Sequence, residues 1–249
     1  METIAIFGAS GGLGSGIAEN LSRHYRLILG YHTNFDAVET LKKKIVTAGG
    51  SVETVAVDIR YPDSVAELLD RAEGTSSRFR GVVNAVGPEI PLRPLIDVSP
   101  GEFERIVKAD VLGSFNVLTE AARRLGEMSG GAIVQLLTTA VLRTLENDGM
   151  SGIPKTAVMG IVRQLAREVA KDDVRVNAIA PGVIDAGIVH SSFKKDVVAQ
   201  GVIELCLNRT PMPRLGHPSE VSSLVQYLLD DKAGYINGQI IGVDGGYSA

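Results

Sequence analysis

Short runs of β-branched and aliphatic residues recur along the chain, separated by longer stretches whose apolar residues return every third or fourth position. The runs Thr3–Phe7, Arg26–Tyr31, Val52–Val57, Gly81–Val86, Ala132–Thr138, Val174–Ala180 and Gln239–Val243 predict strands. Ile4-Ala5-Ile6-Phe7 is apolar at every position, as a strand covered on both faces must be. Between the runs, Val38, Leu41 and Ile45 form a helical stripe, with Lys42, Lys43 and Lys44 on its solvated side. A second stripe runs from Gly160 through Ile161, Leu165 and Val169, and helices are expected over Phe103–Gly126 and Pro154–Ala170. Strand-helix alternation with short connections predicts right-handed βαβ units. The fold class is therefore α/β: a Rossmann-type, doubly wound parallel sheet of seven strands, with helices on both faces and a ligand crevice at its C-terminal edge. No linker or repeat divides the chain, so one domain over residues 1–249 is expected. The rhythm breaks between Ile184 and Leu215, which reads as a substrate lid over the ligand edge.

Composition narrows the partners. The net charge is −4 with scattered Lys and Arg, so nucleic acid is not expected. No apolar run is long enough to span a bilayer, and the start carries no basic signal-peptide region, so no membrane partner and a cytoplasmic location are expected. The single cysteine, Cys206, excludes an intrachain disulfide and reads as helix packing. His24, His32, His190 and His217 lack metal-like spacing, so no metal is expected; His190 falls in the lid stretch and reads as solvent-facing.

The first strand ends in Gly8-Ala9-Ser10-Gly11-Gly12-Leu13-Gly14-Ser15-Gly16 and runs into a helix. A diphosphate needs close backbone approach and free N–H groups at a helix N-terminus, and glycine allows both. The strand-loop-helix context separates this loop from an ordinary glycine-rich turn. Gly8, Gly12 and Gly14, Val57-Asp58-Ile59, Asn84-Ala85-Val86-Gly87, Asn177-Ala178-Ile179-Ala180-Pro181-Gly182 and Gly242-Val243-Asp244-Gly245-Gly246 stand in the order of the short-chain dehydrogenase/reductase superfamily. The chain resembles that superfamily over nearly its whole length, and within it most resembles 3-oxoacyl-carrier-protein reductases. Phe7 stands where the family has threonine, and Ala186 where a threonine often bonds the cofactor phosphate.

The resemblance implies a nicotinamide dinucleotide held by Gly8, Ser10, Gly12, Leu13 and Gly14 at the diphosphate, and by Asp58 and Ile59 at the adenine. It places Asn84, Gly87, Lys155, Pro181, Gly182 and Ile184 toward the nicotinamide. After the second strand no acid occurs before Asp36, while His32, Thr33 and Asn34 offer donors, which favours NADP(H) over NAD. Asn34 also reads as a helix cap. A homodimer or homotetramer, or a mixed oligomer, is implied, with Ala121, Ala122, Ala157 and Gly160 allowing helices to pack closely across a two-fold axis. Ser129-Gly130 and Asp172-Asp173 stand where carrier-protein reductases often present basic residues.

The expected active site departs from the family pattern. Lys155 matches the family lysine, but Ser151 stands four residues before it where tyrosine is usual. Thr138 (Thr139 the second choice) takes the place of the family serine, and Asp110 that of the family asparagine. Loss of a positioned general acid costs roughly 10²–10⁴-fold in rate. With Pro154 in the first turn of its helix, Ser151 also reads as a cap. Three functions remain open on the sequence. One is carbonyl reduction, of a 3-oxoacyl group or small ketone, with a water polarised by Lys155 and Thr138 and reinforced by Asp110. Another is an NADP(H)-binding pseudo-enzyme or partner subunit. The last is non-redox dehydration or isomerisation with Asp110 as base.

Overall fold

The computed structural model describes residues 1–128, 130–187, 189 and 197–249; Ser129 and His190, both singled out above, lie outside them. Its strands are β1 (Thr3–Phe7), β2 (Arg26–Tyr31), β3 (Val52–Ala56), β4 (Phe79–Asn84), β5 (Gly131–Leu136), β6 (Val174–Pro181) and β7 (Ile240–Val243). They form one seven-stranded sheet in the order β3-β2-β1-β4-β5-β6-β7, and every pairing is parallel. The order reverses between β1 and β4, where Phe7 pairs with Gly30 on one side and Asn84 on the other. Such a reversal leaves a crevice at the C-terminal strand ends, because the following connections leave toward opposite faces.

The alternation of β1 explains both layers. Ala5 and Phe7 pack on one face against α3 (Pro62–Glu73), α5 (Gly113–Met128) and α6 (Gly149–Glu168), through Leu68, Leu118 and Val162 among others. Ile4 and Ile6 pack on the opposite face with α1 (Gly12–Leu21), α2 (Phe35–Thr47) and α8 (Pro218–Leu229), through Ile17, Leu41 and Val225. Phe7, which replaces the family's threonine, is fully buried in the first of these layers.

Three helical expectations need correction. The long helix over Phe103–Gly126 is α4 (Pro100–Val107) joined to α5 through a wider, π-type turn at Lys108–Leu112. The stripe of Ile161, Leu165 and Val169 is only half buried, and Val158, Val162 and Ala166 carry α6 into the core. Ala121 and Ala122 face the sheet and are buried within the chain, so they are not available to a partner, whereas Ala157 and Gly160 are exposed. Between Ile184 and Leu215 the described part is mainly α7 (Val197–Arg209), whose Val202 and Cys206 pack against Tyr247. Among the described residues no helix is long and apolar enough to cross a membrane.

Candidate active site

The loop after β1 fits a diphosphate by what it lacks. α1 begins at Gly12 behind Gly11, which offers no side-chain cap, and no acidic residue stands in its first turn. The leading N–H groups of a helix have no intrahelical acceptor, so Gly12, Leu13 and Gly14 present amides and the positive end of the helix dipole. The loop is closed tightly: a Cβ on Gly14 would lie 2.2 Å from the Gly8 carbonyl oxygen, and one on Gly12 would lie 2.2 Å from the Gly187 nitrogen. The second contact brings Ala186-Gly187 down onto the glycine loop.

Three further elements converge beside this loop. The loop after β4 carries Val86 and Gly87, and its backbone abuts Gly8, whose absent Cβ would meet Ala85 and Val86 at 2.9 Å. Lys155 enters from α6 and is 7% exposed. Its Nζ donates to the Val86 carbonyl at 3.0 Å and to Asp110 Oδ1 at 2.7 Å. Asp110, 2% exposed, sits in the π-type turn. An extra residue per turn locally redirects side chains, and such turns gather at functional sites. The lysine is thus a buried cation held between a carboxylate and the rim of the switch point.

Around this pair the expected residues sort into several roles. Thr138 is half buried, and its Oγ1 accepts from the Ala140 N–H at 3.3 Å. Thr139, the second choice, donates to Asp244 Oδ2 at 2.7 Å and is tied to the C-terminal tail, which leaves Thr138 as the better candidate. Ser151 lies in the third position of α6, one turn before Lys155 on the same side of the helix. It is not the cap. The cap residue is Asp148, whose carbonyl accepts from the Ser151 and Gly152 N–H groups at 3.1 and 2.9 Å. Pro154 accordingly falls inside α6 and not in its first turn. Gly152 faces the 139–141 turn, where a Cβ would stand 3.4 Å from Ala140 Cβ.

Several residues expected at the cofactor have side chains engaged in the framework. Asn84 is fully buried; its Nδ2 donates to Ser114 Oγ at 3.2 Å and Gln135 Oε1 at 2.8 Å, and its Oδ1 accepts from the Val86 N–H at 3.3 Å. It fixes the β4 loop that holds Lys155 without presenting its own side chain to the crevice. Ile59 is buried beneath Gly113, and its carbonyl accepts from Asn116 at 2.9 Å. Ile184 is buried in the core that holds α1 and α8. Pro181 ends β6, and the Gly182 N–H donates to the Val243 carbonyl at 3.0 Å. Asn34 caps α2, its Oδ1 accepting from the Ala37 N–H at 3.3 Å, and Thr33 is exposed beside it.

At the far end of the crevice stands Arg60, which no motif in the sequence singled out. It grips Asp58 through Nε at 2.9 Å and Nη2 at 2.6 Å, and His32 Nε2 lies 3.4 Å from the same carboxylate. The Arg60 hydrogen bond holds the Asp58 carboxyl below its usual range. Cys206 is buried, and burial pushes its thiol up to about 11, so it stays protonated and inert at neutral pH. Among the described residues, no group of His, Cys, Asp and Glu could hold a metal ion.

A glycine loop on an uncapped helix, a buried lysine and a sheet reversal between them make the arrangement of a dinucleotide oxidoreductase. A family model described as enoyl-(acyl carrier protein) reductase matches residues 8–248. The chain belongs to the short-chain dehydrogenase/reductase family. Versicolorin reductase of Emericella nidulans is 30% identical over 249 residues, covering 97% of this chain and 93% of that protein. Among solved structures, levodione reductase superposes with a TM-score of 0.92 at 26% identity, over 99% of this chain and 97% of that one. The 3-oxoacyl-[acyl-carrier protein] reductase of Brucella melitensis superposes at 0.87 and 26% identity, over 100% of this chain and 91% of that one. Members of this dehydrogenase/reductase family use nicotinamide cofactors.

Proposed function

We propose that this short-chain dehydrogenase/reductase binds NADP(H) and reduces a carbonyl, of a 3-oxoacyl group or a small ketone, by a proton route that uses no tyrosine. The carrying observation is Lys155, whose ammonium is fixed by Val86 and Asp110 beside the switch-point crevice. The first-turn amides of Gly12, Leu13 and Gly14 would receive the diphosphate, and Lys155 the nicotinamide ribose. When bound, the nicotinamide supplies the hydride. Lys155 stabilises the negative charge that develops on the substrate oxygen, because a buried cation is little screened there. Thr138 and Ser151 hold a water on the same side of α6, and that water gives up the proton. Asp110 accepts from the ammonium and keeps it oriented. Arg60 supplies a cation and His32 a ring nitrogen at the adenosine end, where a 2′-phosphate would lie, and both support the preference for NADP(H). The exposed surface of α5 and α6, with Phe115, Ala157 and Gly160, supports a homodimer or homotetramer.

The Asp110 ion pair also favours a second reading, a nucleotide-binding partner subunit, since it neutralises the cation that would activate a proton donor. Cofactor oxidation against a panel of ketones and 3-oxoacyl thioesters separates the two. Turnover by the natural protein supports the reductase. No turnover by the natural protein, together with turnover that appears in Ser151→Tyr, supports the partner subunit on a competent scaffold. Product formed with no change in nicotinamide absorbance rules out both in favour of non-redox chemistry.

A further inference from the structure

Asp148 has no part in the site described above, yet it is 7% exposed. It lines a cavity of about 220 Å³ at the front of α6, together with the apolar Ala140, Leu145 and Ile153, two glycines, and the hydroxyl-bearing Thr144 and Thr156. It is the one charged side chain among the described lining residues. Although it occupies the cap position, its carboxyl makes no capping hydrogen bond. The titratable group that faces it is Cys206 of α7, a thiol that burial keeps neutral. Burial alone, with no cation or donor to offset it, pushes the Asp148 carboxyl up to about 7. An ionised carboxylate in such a place is costly unless a ligand supplies the missing partner. A cavity with apolar walls, two threonines and one unpaired carboxyl has the form of a small-molecule subsite.

We propose that this cavity binds an ammonium group carried on a small apolar ligand, with Asp148 as its counter-ion. The ammonium completes the carboxylate's hydrogen bonds, and the apolar body displaces water from Leu145 and Ile153. Resting on the reductase reading, the ligand is the substrate, an amino ketone or its amino alcohol. Selection against analogues without the amine follows, because such ligands leave the carboxylate buried and unpaired.

Calorimetric titration at pH 7 without nucleotide tests the site, with cyclohexylamine, cyclohexanol and cyclohexanecarboxylate as probes in two buffers of different ionisation enthalpy. Cyclohexylamine binds most tightly and releases roughly half a proton per molecule, because an acid of pKa about 7 is half protonated before the amine pairs with it. Asp148→Asn weakens the amine at least tenfold while leaving cyclohexanol binding in place. Ile153→Phe, which fills the cavity and leaves the carboxyl intact, weakens both probes. Equal amine affinity in Asp148→Asn, tighter binding of cyclohexanol than of the amine, or no amine binding at millimolar concentration would each overturn the proposal. Neither nicotinamide nor turnover enters the measurement. Failure here therefore leaves the reductase reading standing, and a silent ketone assay leaves the subsite standing.

Discussion

The β1–β4 end of the crevice and the front of α6 lie in one molecule and are built by different physics. At the first, backbone does the work: amides, a sheet reversal and glycines whose side chains the loop cannot admit. The motif there is short, local and nearly unaltered. At the second, side chains do the work, and several differ from the family pattern. A carboxylate meets the lysine, a serine stands one turn before it, and an aspartate sits buried with no partner. This backbone site tolerates little change because a Cβ on Gly12 or Gly14 would collide with backbone atoms. Side-chain sites can be rewritten while the scaffold persists, so nucleotide binding and chemistry can diverge independently.

The contrast is sharpest at the buried pair. Lys155→Met strands the Asp110 carboxylate in the interior, and breaking such a pair costs about 3–5 kcal/mol; urea unfolding at pH 7 should show a loss of that order. If stability is unchanged, water reaches Asp110 and the pair is no structural clamp. Asp148 comes next. Its folded-state pKa lies near 7, above its ordinary 3.8, so the folded protein resists ionisation. The natural protein should lose stability relative to Asp148→Asn as pH rises from about 4 to about 7, and the gap should stay constant above that, on the order of a few kcal/mol at most. Thermal or urea melts of both proteins across this window check the sign.

At the backbone end, Gly12→Ala forces a Cβ into the Gly187 backbone. Nucleotide affinity should fall at least tenfold, about 1.4 kcal/mol, with Lys155 still bound to Asp110; fluorescence titration with NADPH measures it. The smallest effect is expected at the adenosine end. Arg60→Ala removes an exposed ion pair worth roughly 0–1 kcal/mol. It should leave stability almost unchanged and narrow the ratio of NADPH to NADH affinity. A ratio that widens would mean Arg60 serves only to occupy Asp58.

Strands and sheet class were legible because a strand buried on both faces must be largely apolar, a property of eight consecutive residues or fewer. Phe79–Asn84 shows the limit: the expected Gly81–Val86 was displaced by two residues, since strand ends are set by pairing with β1 and β5. The glycine loop was legible for the same local reason. The side-chain partners of Asn84 could not be read from the sequence, because Ser114 and Gln135 are distant from it in the chain.

The sequence by itself determined the parallel α/β layers, the nucleotide loop and the identity of the lysine, all of which depend on contacts within one strand, turn or helix. Only the tertiary structure decided that the turn around Asp110 widens to meet Lys155, that α6 begins before Pro154, and that Asp148 lines a cavity with its carboxyl unpaired. Each of these depends on residues brought together from separate elements. The energy of burying a charge is set by what surrounds it in space, and no spacing along the chain records that.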